Sequence, residues 1–427
     1  MNDANDKKDD GRKHRIEKLG PGLITGAADD DPSGISTYST AGAAYGFGFL
    51  WTMVISVPLM VAVQLMCARI GLVTGRGLGG ILRRYYSRKL LLFACSIVLV
   101  ANTINIAADL GGMAGVAELV TGIGAFWFIP LFTLLILVML FKFSYAAIAK
   151  TFKWLTLVLF AYVIAAFLAR PDWSDVLRAT VVPRLSFTGD YLMTFVGVFG
   201  TTISPYLFFW QASEEIEEKK KEGRIAVGHR VGATKEELDD ARDDTVIGMS
   251  ISSFVAYFII LTTGATLFLN GQHDIQTARQ AAEALRPLAG DGAYWLFALG
   301  LIGTGLLGVP VLAGSAAYAI AESGAWRGGM DEKPHNAKKF YFVITLSMTI
   351  GMCLNYAGLD AIKMLFWSAV LNGVLAPPLI IIILFICNNK KIMGGEVNGK
   401  FLNIFGVLAA GVMGFAALAM FWAWIFG

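Results

Sequence analysis

Apolar residues fall in long, nearly unbroken runs along this chain, not in the alternating or i, i+3, i+4 patterns of a half-buried strand or helix. Eleven runs stand out, at about 20–45, 47–68, 91–119, 124–141, 145–169, 191–212, 245–269, 292–320, 338–356, 361–387 and 403–426. At about 1.5 Å per residue, such runs are long enough to cross roughly 30 Å of hydrocarbon. No polar stretch between them is long enough to fold by itself. Residues 20–427 are therefore read as one integral membrane domain, behind a polar tail, 1–19, expected to be disordered and cytoplasmic. Within the domain, two five-helix repeats are expected at about 20–169 and 191–387, with an extra helix at 403–426.

Composition strengthens this reading. Hydrophobic residues make up 56% of the chain and charged residues 16%, against roughly a quarter charged in soluble domains. The first run does not read as a signal peptide, because it follows a polar tail, lacks a small-residue cleavage site and carries Asp29, Asp30 and Asp31 in its middle. The net charge of +3 becomes informative once sorted by side. With the N-terminus placed inside, only Arg170, Arg178, Arg184, Arg279, Arg286 and Lys363 of the 35 Lys and Arg fall outside. That bias predicts eleven helices in a prokaryotic-type plasma (inner) membrane, N-terminus cytoplasmic and C-terminus outside.

Two runs are unusual for lipid-facing helices. The first reads Gly20-Pro21-Gly22 and continues to Asp29-Asp30-Asp31-Pro32-Ser33-Gly34; the sixth reads Gly197 to Gly200, then Thr201-Thr202-Ile203-Ser204-Pro205-Tyr206. Proline removes a backbone N–H and clashes with the carbonyl four residues back, and glycine lets the chain leave helical geometry. Carbonyls freed at membrane depth are tolerated where they line a protein-enclosed or watery cavity. One such segment alone is equally well a simple proline kink. Two at matching places of two five-helix halves mark a binding site of the kind found in transporters with inverted repeats.

The aspartates carry the chemistry. A carboxylate at the bilayer centre costs at least about 2.5–3.5 kcal/mol, so Asp31 needs water, a cation or a partner. Asp29 and Asp30 are read either with it or as part of a polar vestibule. A carboxylate beside freed carbonyls and the negative end of a half helix makes a hard-oxygen site for a cation. His14, His229, His273 and His335 all lie in the tail or in loops, and neither break contains methionine. Oxygen-only donors favour Mg²⁺, Ca²⁺ or Mn²⁺ over later transition metals. Cys67, Cys95, Cys353 and Cys387 show no metal spacing and are read as small core residues. The charged stretch from Ser213 to Arg242 is read as a solvated extension of the sixth helix. Gly75-Arg76-Gly77-Leu78-Gly79-Gly80 lacks the Gly-Lys-Ser/Thr ending and preceding strand of a phosphate loop, and is read as a flexible turn.

Gly20-Pro21-Gly22, Asp31-Pro32-Ser33-Gly34, Ser204-Pro205-Tyr206 and Trp367-Ser368-Ala369-Val370-Leu371-Asn372-Gly373, in this order, resemble the NRAMP divalent-metal transporters over essentially the whole membrane region. The particular variants look like the NRAMP-related magnesium transporter branch. The resemblance implies an all-α, LeuT-like fold with 5+5 inverted repeats, discontinuous helices one and six, and an appended eleventh helix. It also implies a metal site at Asp31, Gly34, Thr201 and Ser204, with Thr201 supplying a backbone carbonyl. Asn372 is read either as an amide ligand or as a polar bond between helices, and Asp109 either as a relay or as a structural partner.

The departures from the family pattern are chemical. Gly34 stands where the family has asparagine, Ser204 where it has methionine, Tyr206 where it has histidine and Gly112 where it has glutamate. Together they remove an amide, a thioether, an imidazole and a carboxylate. Mg²⁺ dehydrates reluctantly and usually keeps several waters, so a wider oxygen site suits it. The sequence therefore points to an alternating-access carrier of Mg²⁺, and also Mn²⁺, without obligatory proton coupling. A proton-coupled Mn²⁺/Fe²⁺ importer is the alternative, with Asp29, Asp30, Asp109 and Tyr206 as vestibule or relay groups. A sodium-coupled solute carrier and a membrane Mg²⁺ sensor are further readings. The expected partners are the divalent ion, as cargo, and the bilayer. No cofactor, nucleic acid, obligatory protein partner or enzymatic activity is expected.

Overall fold

A computed structural model describes residues 20–358 and 360–426, apart from the side chains of 146 and 152–156. The tail expected to be disordered, 1–19, lies outside the described residues. Every regular element among the described residues is a helix. The long ones are α1 (Pro21–Asp29), α2 (Pro32–Tyr45), α3 (Leu50–Thr74), α4 (Arg88–Thr121), α5 (Ala125–Lys142), α6 (Gly189–Thr202), α7 (Pro205–Lys221), α8 (Lys235–Thr266), α9 (Ala293–Ser323), α10 (Lys338–Leu354), α11 (Ala361–Cys387) and α12 (Lys400–Phe426). Among the described residues, nine helical stretches are long and apolar enough to cross a membrane. Two of the expected eleven runs are joined in one of these stretches, Pro32–Thr74, because α2 and α3 connect through a short 3-10 turn at Gly46–Phe49. The expected run at 145–169 is divided into Tyr145–Thr156, a 3-10 turn and Ala161–Leu168, each too short to qualify.

The two breaks follow from proline chemistry. Asp30 leaves helical geometry at φ −82°, ψ 48°, and Asp31 is extended at φ −70°, ψ 172°. Pro32 then opens α2 at a first-turn position, where its missing N–H costs nothing. Ser204 and Pro205 repeat the arrangement between α6 and α7. In each case the proline starts a new helix instead of kinking an old one.

Small residues bring the half helix α1 against α8. A Cβ on Gly22 would lie 2.6 Å from the Thr245 nitrogen, and one on Gly26 or Gly248 would strike the backbone of the opposite helix. The N-terminus of α1 is capped from α8, where the Asp244 carboxylate accepts the N–H groups of Gly22 and Leu23 at 2.6 and 3.2 Å. Elsewhere α9 packs along α4, and α11 packs along α6. Cys67, Cys95 and Cys387 are buried as expected of core residues; Cys353 is exposed on α10.

The charged extension differs from the solvated helix expected. α7 does continue to Lys221, but Glu214, Glu215, Glu217 and Lys219 are buried. The Lys219 ammonium explains how. It donates to the carbonyls of Leu72, Arg230 and Gly232 at 2.6, 3.1 and 2.7 Å, using all three of its donors. The end of α3 and the 230–232 segment thus close over α7.

Candidate metal-ion site

Asp31 sits where the two broken helices meet, and its carboxylate is only 1% exposed. One oxygen accepts the Ser33 hydroxyl at 2.6 Å and the Gly34 N–H at 2.9 Å, which is an N-cap for α2. The other accepts the Tyr206 hydroxyl, from the first turn of α7, at 3.1 Å. Tyr206 also donates to the Ala28 carbonyl at the end of α1, again at 3.1 Å. One phenol therefore bridges both sides of the first break from the second. α9 passes against this junction, since a Cβ on Gly308 would lie 3.0 Å from the Asp31 Cβ.

Gly34 is closely surrounded at the centre. A Cβ there would meet the Thr201 hydroxyl at 3.1 Å and the Asp29 carbonyl at 3.3 Å. The side chain missing from position 34 would thus point between the two breaks. The Ser204 hydroxyl donates to the carbonyls of Gly200 and Thr201 at 2.8 and 2.7 Å, so it satisfies backbone freed by Pro205. The lone pairs of this hydroxyl, and the second lone pair of each carbonyl, remain free.

Asn372 and Asp109 stand out by what they lack. Both polar atoms of the Asn372 amide are buried and have no hydrogen-bond partner among the described residues. Such groups cost about 1–3 kcal/mol each when left unpaired. Gly373, its neighbour, packs so tightly on Gly200 that α11 meets α6 just above the second break. Asp109 is fully buried on α4, and neither oxygen makes a hydrogen bond of regular geometry. Its carboxylate approaches the Ser33 N–H and feels the charge of Asp31. The alternative of an Asn372 bond to another helix finds no partner among the described residues.

Asp29 and Asp30 do not line an open vestibule in this conformation. They are 0% and 4% exposed and share the Ser252 hydroxyl of α8, at 2.7 and 3.2 Å. One oxygen of Asp29 has no hydrogen-bond partner among the described residues. At position 112, a Cβ would lie 2.8 Å from Leu365 of α11, so an apolar side chain fills the space where a longer residue would go.

Sequence reasoning missed Ser252, Ser33 as a partner of Asp31, and the chain Thr25–Gln211–Glu215. In that chain Thr25 donates to Gln211 at 2.6 Å and Gln211 donates to Glu215 at 2.9 Å. The available signal was a polar residue inside an apolar run at the depth of a break.

Comparison with known proteins bears directly on this geometry. The sequence profile described as natural resistance-associated macrophage protein-like, Nramp, matches residues 22–423. The chain belongs to the Nramp family. Nramp relatives include the divalent metal cation transporter MntH of Caldanaerobacter subterraneus subsp. tengcongensis, 25% identical over 411 residues, covering 93% of this chain and 91% of that protein. MntH of Yersinia pestis is 28% identical over 416 residues, with coverage of 93% and 92%. Among solved structures, the Eremococcus coleocola manganese transporter superposes with a TM-score of 0.74 at 19% identity, covering 94% of this chain and 85% of that one. MhsT in complex with L-phenylalanine superposes at 0.61, with 12% identity and coverage of 95% and 98%. These neighbours share the LeuT-like fold, with its broken helices.

Proposed function

We propose that this Nramp protein is an alternating-access carrier that moves Mg²⁺, and also Mn²⁺, down the inward-negative potential without obligatory proton coupling. The carrying observation is the donor set at Asp31, one carboxylate with carbonyls of the two breaks and hydroxyls, to which we assign the unpaired Asn372 amide of α11. Its ligating atoms are all oxygen, which suits a hard cation. Gly34 brings no side-chain ligand where the family pattern has an amide, which suits an ion that keeps some of its own waters. Tyr206, where the family pattern has histidine, offers a hydroxyl already donating to Asp31 and no imidazole to take up a proton. The MntH relatives are described as divalent metal cation transporters, which supports the ion class. The strong Lys and Arg bias supports an eleven-span topology in a bacterial-type inner membrane, with the N-terminus cytoplasmic.

The test is uptake into liposomes holding a Mg²⁺-sensitive dye. Entry at millimolar Mg²⁺, competed by Mn²⁺ and lost in Asp31→Asn, supports the reading. Mn²⁺ entry with no Mg²⁺ entry overturns it in favour of a conventional Mn²⁺/Fe²⁺ importer. Ion binding without flux of either ion identifies a sensor instead.

A further inference from the structure

At the end of the bundle that the charge bias assigns to the cytoplasm, a cavity of about 1020 Å³ opens between the α3–α4 connection, the end of α7 and the end of α9. Its wall mixes cations and anions, but unevenly. Lys220, Lys221 and Arg327 are matched by Glu217, Asp331 and Glu332 at 2.7, 3.3 and 2.9 Å. The remaining wall carboxylate, Glu322, is already engaged. It accepts the Gly80 N–H at 3.1 Å and the Ser213 hydroxyl at 3.3 Å. The glycine-rich segment at 75–80 is thus no loose turn: Gly79 and Gly80 lie in the first turn of a short helix, Leu78–Tyr85, which meets an internal carboxylate.

Arg76, Arg83, Arg84 and Arg230 line the same cavity, and no ion pair reaches any of them among the described residues. Arg230 is the informative one. It is 8% exposed, and its Nε is buried without a partner among the described residues. Burial pulls its guanidinium below the ordinary value; Glu217 opposes this, the Arg76 charge adds to it, and Glu322 opposes it. It stays protonated all the same, as arginine does in proteins. Its backbone cannot swing away easily. The Arg230 carbonyl accepts Lys219, and its Cβ abuts Gly75, whose φ of +61° only glycine adopts freely. A desolvated guanidinium held beside a second one, without an acceptor, costs free energy that an anion would recover. A departing metal cation gains nothing from this wall, so the transport path does not account for it.

We propose that this cavity binds a phosphate-bearing anion through Arg76 and Arg230, with Arg83 and Arg84 at its rim. The planar fork of arginine matches phosphate oxygens in pairs, and two forks on one rigid wall accept a diphosphate or a single phosphate group. The ligand joins the 75–80 segment to Arg230, at the end of the short helix Val227–Arg230. The inference rests on the proposed orientation but not on which metal is carried.

The test uses the full-length protein in nanodiscs and reads binding separately from transport. Pyrophosphate and ATP, each without metal, are titrated by calorimetry in neutral phosphatidylcholine discs. Thermal stability is then compared between neutral discs and discs containing phosphatidylglycerol. Arg76→Gln weakens binding, or removes the lipid-dependent stabilisation, by about tenfold or more in apparent affinity, the usual scale for one lost charge-assisted contact. Arg76→Lys falls between. Response to the soluble anions identifies a free phosphate ligand, and response to phosphatidylglycerol alone identifies a lipid headgroup. Arg76 is partly exposed and outside the packed bundle, so its variant remains decisive even where Arg230→Gln fails to fold. No response to any probe, or a response unchanged in Arg76→Gln, overturns the proposal.

Discussion

Asp31 uses both of its oxygens on its own protein in this conformation, on Ser33, Gly34 and Tyr206. A cation arriving there replaces hydrogen bonds that already exist, and Tyr206 is the partner contributed by the other broken helix. Asp31→Asn keeps the shape but removes the charge, and metal flux falls roughly 10–100-fold, measured as initial uptake rate into liposomes. A side chain at position 34 would point between the two breaks. The double variant Gly34→Asn, Ser204→Met supplies an amide and a thioether, and shifts the Mn²⁺-to-Mg²⁺ uptake ratio toward Mn²⁺ by roughly tenfold in a competition assay. An unchanged ratio would mean that these side chains do not face the ion. Much of this was legible in the chain. Three adjacent aspartates in an apolar run demand an explanation, and Gly34, Ser204 and Tyr206 define which donors are missing. What could not be read was the pairing: that Ser252 ties Asp29 to Asp30, or that Tyr206 spans the first break. Such contacts join residues more than 170 positions apart and depend on how four helices pack.

The half helix α1 has only nine residues, too few to be stable alone in water. It is held by Asp244 at its N-terminus and by backbone contact through Gly22, Gly26 and Gly248. Asp244→Ala removes a cap worth about 0.5–2 kcal/mol, and the amides of residues 22–30 then exchange with deuterium faster while those of α4 do not. Equal protection in both helices would show that packing alone holds α1. The breaks were visible in sequence because proline and glycine act locally. The charged run after the sixth helix misleads for the converse reason. Its composition suggests solvent, yet Lys219 is buried through three carbonyls, one from the distant end of α3 and two from the segment that folds back after α7. Lys219→Met strands those carbonyls and costs at least about 1.5–3 kcal/mol, seen as a lower melting temperature in detergent.

At the scale of the whole molecule, long apolar runs and a one-sided distribution of Lys and Arg were enough to indicate a helical membrane protein. The Nramp match over residues 22–423 and the LeuT-like neighbours agree with that reading. The run at 145–169 divides because the 3-10 turn at Leu157–Phe160 interrupts its helix, a local change in winding with no proline or glycine to announce it. The central claim is that an all-oxygen site at Asp31, with tyrosine where the family pattern has histidine, carries Mg²⁺ without a companion proton. Simultaneous recording of internal Mg²⁺ and internal pH in the same proteoliposomes, under an inward-negative potassium diffusion potential, tests it most directly. The account predicts Mg²⁺ entry that grows with the potential while internal pH stays flat. Acidification that rises in step with Mg²⁺ entry would contradict it.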